Sequence, residues 1–478
     1  MNPLYKYIEW ITWVVPPPYI PKLFEYVHFL LFILYIPIFR FYIKRRLIQN
    51  GGDFEVYRFA VYTWYFRILG GVFVYYFYLF YYGGGDVVNY VKDSIGFFTF
   101  STLHFSTFIR YLIYSISNQN FFDYFFYNPE FYFYWSELRL RISYMFDFHS
   151  EMVAVLYLPF IFLGLGGYLP SLVVFNAIYA VYLAKFIRNY LRFNGLNISG
   201  YYYLICNLPS FLIWTGAPLK ESFALLFMIY AAQNLFGEVF SLYRLLVSLL
   251  AIYLTYIVKP YLGVPFLVVF IIAYLMKNKT LFSKDIFYSM IYSLIFTVFF
   301  FISGYFSLRL AEKTGKYSPD RVLDQAYLIY MDLQYNETYY TQTGGSVYDL
   351  GPLEPTLSSF LSKFPLATFT ALFRPFLTEG RKGMIFLASL EATTLLILFI
   401  YLSVRHNVFK ILRYIYKEKA SFYFFISSIF ILSFIGLTSG NFGNLVRYRV
   451  PPYFFFWIIF FTAVQKVAYE TDRRRGWQ

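Results

Sequence analysis

The sequence predicts an all-α fold: a polytopic membrane bundle of about 11–13 transmembrane helices, with a long extracytoplasmic loop and interfacial helices. Three observations carry that expectation. First, 59% of the 478 residues are hydrophobic and 14% are charged, against roughly 25% charged in a soluble domain. That balance excludes a soluble enzyme, a disordered chain and a nucleic-acid-binding domain. Second, apolar runs of about 17–25 residues recur, the length a helix needs to cross a bilayer. They are continuous rather than alternating, which excludes a transmembrane β-barrel. Third, the net charge of +14 sits in clusters between or after the runs, such as Lys44–Arg45–Arg46, Lys277–Lys279, Lys410–Lys419 and Arg473–Arg475. It reads as positive-inside loops, with no nucleic-acid partner.

In chain order, residues 4–15 are apolar but too short to span. They are expected as an interfacial helix ended by Pro16, Pro17 and Pro18, and they do not resemble a cleavable signal peptide. Spans are expected at 24–43 and 60–82, joined by the basic cytoplasmic stretch 44–58. Residues 97–116 either cross the membrane or lie on it. Segment 121–135, almost wholly aromatic, is expected at the interface, and 137–148 is amphipathic. Further spans are expected at 151–167, 169–187, 201–217, 222–236, 242–258, 261–276, 285–306, 384–404, 421–438 and 451–467. The polar segment 307–365 is an extracytoplasmic loop or small subdomain within one transmembrane domain over 1–478. The basic loops 188–193, 277–284, 405–419 and 470–475 are placed in the cytoplasm. Counting crossings then puts Gly83–Tyr90, Pro218–Ser222, 307–383 and Ser439–Arg449 on the opposite face.

Charges at span edges are costly and tend to be functional, and four segments on that face carry them. Gly83–Gly84–Gly85–Asp86 closes the second span; Asp86 is placed to take a proton from a sugar hydroxyl or, more plainly, to N-cap the next helix. Trp214 through Lys220–Glu221–Ser222 crosses a break after Gly216 and Pro218. A lysine at a helix N-terminus suits a phosphate; the plain alternative is a neutralised hairpin turn. In Phe373–Lys382, Arg374 suits a diphosphate, and Glu379 either pairs with it or acts as a base. The run from Ala367 to Glu391 reads as a broken helix lining a cavity; the alternative is a snorkelling cluster. In Ser439–Pro451, Arg447 and Arg449 oppose the charge rule, which invites an anionic partner or headgroup contact. Lys259 is a further outer-face cation.

The one cysteine, Cys206, permits no internal disulfide and no thiolate metal cluster. His28, His104, His149 and His406 lack metal-ligand spacing. There is no P-loop and no dinucleotide fingerprint. No cofactor is therefore expected, although Asp86 could ligate a divalent metal. Asn336–Glu337–Thr338 matches a glycosylation sequon, a short pattern common by chance.

Gly84–Gly85–Asp86 with Tyr90, Pro209 with Trp214 and Lys220–Glu221–Ser222, Phe373–Arg374–Pro375–Phe376 with Glu379, and Asn441–Phe442–Gly443 with Val446–Arg447–Tyr448–Arg449–Val450–Pro451 occur in that order. Together they resemble bacterial polysaccharide-assembly proteins, the oligosaccharide-repeat-unit polymerases and multi-spanning glycosyltransferases of the GT-C class. In that class the acidic residue follows the first span, whereas Asp86 follows the second, and no second acidic residue lies beside it. The resemblance implies transfer of a sugar or oligosaccharide from a polyprenyl (di)phosphate donor to a saccharide acceptor, at the outer face of the bacterial inner membrane. Asp86 or Glu379 would be the base. Arg374, Arg447, Arg449 and Lys220 would hold the donor phosphates, and Tyr90, Glu221 and Trp214 would contact the substrate. Two alternatives stay open. A flippase of lipid-linked sugars would show inverted repeats and mid-membrane charges. A non-catalytic subunit of a larger membrane complex, with membrane-protein partners, would tolerate loss of Asp86, Arg374 and Arg447. The aromatic content of 26% is assigned to Phe and Tyr replacing aliphatic residues within spans.

Overall fold

Helix is what these runs must form, because inside a bilayer each backbone polar group needs a partner within its own segment. The computed structural model describes residues 23–48, 53–128, 143–144, 146–237, 241–277, 347–380 and 383–475, with scattered positions between 324 and 335. Their regular structure is helical, apart from one isolated bridge between Val347 and Asn441. The chain is an all-α polytopic bundle and a multi-pass membrane protein. It divides into two compact units, Met1–Lys185 with Leu212–Leu226, and Phe186–Phe211 with Phe227–Gln478.

Unit 1 holds α1 (Leu23–Ile48), α2 (Phe54–Tyr81), α3 (Asp86–Leu103), α4 (Phe105–Asn118), α5 (Phe122–Tyr127), α6 (Phe148–Leu163) and most of α7 (Tyr168–Phe193). It also takes the end of α9 (Pro209–Gly216) and the start of α10 (Lys220–Leu235). Asp53 caps α2, accepting from the Glu55 amide at 3.1 Å. Only 6% of the apolar window of α1 is buried, and Phe29, Leu30, Ile33 and Leu34 are exposed; lipid tails solvate such a face at no cost. The core lies between α2 and α7, where Trp64 Nε1 donates to the Val173 carbonyl at 3.2 Å and Tyr75 stacks on Tyr168 at 4.2 Å. Gly70 and Gly71 let α9 touch the backbone of α2. A Cβ on Gly71 would sit 2.6 Å from the Gly216 carbonyl oxygen.

Unit 2 continues with α8 (Gly200–Cys206), α11 (Leu242–Val258), α12 (Pro260–Lys277), α13 (Leu357–Phe373), α14 (Gly383–His406), α15 (Val408–Lys417), α16 (Lys419–Thr438), α17 (Phe442–Tyr448) and α18 (Val450–Arg475). Its core is α18, with 89% of its apolar window buried. Aromatic rings fill it: Phe424 on Phe455 at 5.6 Å and Phe425 on Phe456 at 5.0 Å are both stacked. Much of the aromatic content is thus core packing. α13 and α16 meet at Gly436, where a Cβ would lie 2.3 Å from the Ala367 carbonyl oxygen.

The expected spans differ from these helices in several places. Five described helices (α1, α7, α14, α16 and α18) are long and apolar enough to cross, or six if the bent pair α9–α10 is one span. Shorter apolar helices, α6, α11 and α12, stand at three further expected spans. Residues 97–116 are two helices broken at His104, which has a non-helical backbone. Residues 201–217 are α8 and α9, broken at Asn207 before Pro209. The polar segment 307–365 ends inside α13, which Thr356 caps by accepting from Ser359 N at 3.3 Å. The basic stretch 405–419 is mostly helix α15 rather than loop. The run 367–391 is broken at Arg374, between α13 and α14. The expected helix 4–15, the span 285–306, most of 121–142, the sequon and most of 307–346 lie outside the described residues.

Candidate functional site

In unit 1 three glycines turn the chain between α2 and α3, with φ of 70°, 141° and 137° at Gly83, Gly84 and Gly85. Only glycine holds such angles without strain, and a Cβ on Gly85 would meet the Tyr78 ring at 2.4 Å. Gly85, rather than Asp86, occupies the N-cap, so Asp86 is the first residue of α3. Its carboxylate faces the positive end of the helix dipole and is partly exposed. The Tyr144 hydroxyl donates to Asp86 Oδ1, and the Tyr144 ring packs on Tyr90 at 5.0 Å.

From Tyr90 the contacts run on to Lys220. The buried Tyr90 hydroxyl donates to Ser150 Oγ at 3.4 Å, Ser150 Oγ donates to Asp147 Oδ2 at 2.6 Å, and Lys220 Nζ lies 3.3 Å from that oxygen. Asp147 also caps α6, accepting from the amides of His149 and Ser150 at 3.1 and 3.3 Å. Partial burial alone would raise the Asp147 carboxyl. The Lys220 ammonium and the Ser150 donors outweigh it and hold it below the usual carboxylate range. Asp93 anchors the same loop, taking hydrogen bonds at 3.0 and 2.9 Å from Ser143 N and one at 2.9 Å from Ser143 Oγ. Trp214 meets Tyr78 edge-on at 6.3 Å. Asp86, Tyr90, Lys220 and Trp214 therefore share one neighbourhood of unit 1. Glu221 is fully buried beside them.

Lys220 is placed there by an elbow: α9 and α10 meet at 99°, which frees carbonyls at the end of α9. Fully buried Arg67 donates through Nη1 to Thr215 Oγ1 and through Nη2 to the Thr215 carbonyl. Its guanidinium lies 3.3 Å over the Tyr179 ring. Asn176 Nδ2 donates to the Gly216 carbonyl at 2.8 Å.

Unit 2 gathers the arginines. Arg374, the C-cap of α13, grips Glu379: Nε lies 3.0 and 3.2 Å from the two carboxylate oxygens, and Nη2 also donates to Oε1. Glu379 Oε2 accepts from the Phe376 amide as well, at 2.8 Å. The Arg374 guanidinium sits 5.3 Å over Phe442 and 5.8 Å over Tyr348. Arg449 is fully buried and donates to the carbonyls of Ala371 and Arg374 at 3.0 and 2.7 Å; it caps the end of α13. Arg447 lies 5.8 Å over the Tyr448 ring, and Lys259 is 4.4 Å from the same ring. Glu391, buried on α14, accepts from Ser210 N at 2.7 Å and from Ser210 Oγ, which caps the start of α9.

Tyr144, Asp147, Ser150, Asp93 and Arg67 did not emerge from the sequence as site residues. Two had a signal. Asp147 directly precedes an apolar helix, the usual place of a cap. Arg67 is a lone cation inside an apolar run. Among the described residues no group of three or more His, Cys, Asp or Glu side chains could hold a metal ion. Compared with known proteins, the chain matches no family model, no curated protein and no solved structure.

Proposed function

We propose that the chain is a membrane glycosyltransferase or polymerase that transfers a sugar or oligosaccharide from a polyprenyl (di)phosphate donor on the extracytoplasmic face of the bacterial inner membrane. The observation that supports this reading most is the unit 1 network. A partly exposed carboxylate at a glycine turn, Asp86, stands one chain of contacts away from a partly exposed ammonium, Lys220. In this reading Asp86 takes the proton of an acceptor hydroxyl as that oxygen attacks the anomeric carbon. The bond from that carbon to the phosphate oxygen breaks, and Lys220 neutralises the departing phosphate. Trp214 and Tyr90, both buried, back the acceptor side from within by packing on Tyr78 and Tyr144. Within unit 2 by itself, the Arg374–Glu379 pair offers a guanidinium that a phosphate could take over from the carboxylate, and Arg449 fixes the backbone that carries Arg374.

The test is direct. Purified protein is incubated with a polyprenyl-linked sugar and a saccharide acceptor, and chain growth or single transfer is followed. Wild type is expected to turn over, and Asp86→Asn to lose roughly 10²-fold or more, the usual worth of a general base. Equal turnover in wild type and Asp86→Asn, or none in wild type, overturns the reading in favour of a non-catalytic subunit.

A further inference from the structure

Helix α15 joins two candidate spans, α14 and α16, and shows three distinct stripes. The first faces the protein: Ile411 and Ile415 are buried, and Tyr414 donates to Asn194 Oδ1 at 2.9 Å. The second is apolar yet uncovered. Phe409, Leu412 and Tyr416 are 77%, 46% and 56% exposed, and their spacing lines them along one side of the helix. The third is cationic: Lys410, Arg413 and Lys417, each one residue further on, are exposed as well. At about 100° per residue the third stripe lies beside the second. Arg405 and Lys419 extend it, with Lys419 3.9 Å over the Tyr416 ring. Against these five cations, residues 405–419 contain one acid, Glu418.

A helix facing water has no reason to keep three large apolar side chains uncovered, and a spanning helix does not carry three cations in ten residues. Both together suit a helix lying in the interface plane. We propose that α15 is a binding element for anionic phospholipid. Phe409, Leu412 and Tyr416 enter the acyl boundary, while Lys410, Arg413 and Lys417 meet headgroup phosphates. The inference is independent of the glycosyltransferase reading, since it uses none of the residues assigned to that site.

The test uses the full chain. Protein purified from bilayers of equal phosphatidylglycerol and phosphatidylcholine is analysed for retained lipid by native mass spectrometry. Wild type is expected to retain phosphatidylglycerol preferentially. The variant K410Q/R413Q/K417Q is expected to lose that preference by about tenfold or more, and K410R/K417R to keep it. A second measurement covers misfolding: in a Cys206→Ser background, an environment-sensitive fluorophore at Phe409→Cys is expected to report an apolar surrounding in vesicles containing phosphatidylglycerol. Equal retention of both lipids by wild type overturns the proposal. So does a probe that stays in water until a second protein is added, which would assign the face to a protein partner.

Discussion

At the scale of single residues, the polar groups of unit 1 each have a defined task that a substitution isolates. Tyr144 supplies the hydroxyl that holds Asp86. Hydrogen bonds to charged groups are worth about 1.5–3 kcal/mol. Tyr144→Phe is therefore expected to lower transfer by about ten- to a hundredfold in the same assay while the protein still folds. Asp147 carries a pH dependence. Its carboxyl lies below its ordinary value in the folded chain, so its contribution is complete above the usual carboxylate range, about pH 4. That contribution disappears as the pH falls through the depressed value. Amide exchange over residues 143–150 is expected to accelerate on acidification, and Lys220→Met to move that acceleration to higher pH. The charges that these residues serve were visible in the sequence, because Asp86 and Lys220 stand beside chain breaks. Their partners were not. Tyr144 is 58 residues from Asp86 and Asp147 is 73 from Lys220, and no local pattern encodes a pairing of that separation.

At the scale of elements, the elbow between α9 and α10 is held in part by one buried cation. Arg67→Met would leave the Thr215 carbonyl without its donor, a loss of about 1–3 kcal/mol. A lowered midpoint of thermal unfolding in detergent checks it. Helices whose ends coincide with a change of polarity were legible: α11 covers the expected 242–258, and α16 and α18 begin within two residues of expectation. The breaks at His104 and Asn207 were not, since an apolar run keeps its composition across a bend. What fixes the α9–α10 bend is a backbone contact and two buried donors, all supplied by helices distant in sequence.

At the scale of the whole molecule, span length sets sidedness. α14 has 24 residues, about 36 Å of helix, enough to cross the roughly 30 Å hydrocarbon layer. In a Cys206→Ser background, cysteines at Thr378 and Arg413, which flank α14, are expected to react with an impermeant reagent from opposite faces of the membrane. Reaction of both from one face would remove α14 from the spans. The nearly uncovered α1 is expected to place probes at Phe29 and Ile33 in contact with acyl chains, read as quenching by nitroxide-labelled lipid.

The glycine contacts between α2 and α9 have a mechanical consequence. At Gly71 and Gly216 backbone meets backbone, a contact with no rotamer of its own to absorb a displacement, and the Arg67 hydrogen bonds to Thr215 tie the same two helices. The last turn of α9 and the middle of α2 must therefore travel as one stiff body. A displacement of the elbow is thus passed along α2 to the Gly83–Gly85 turn that follows it.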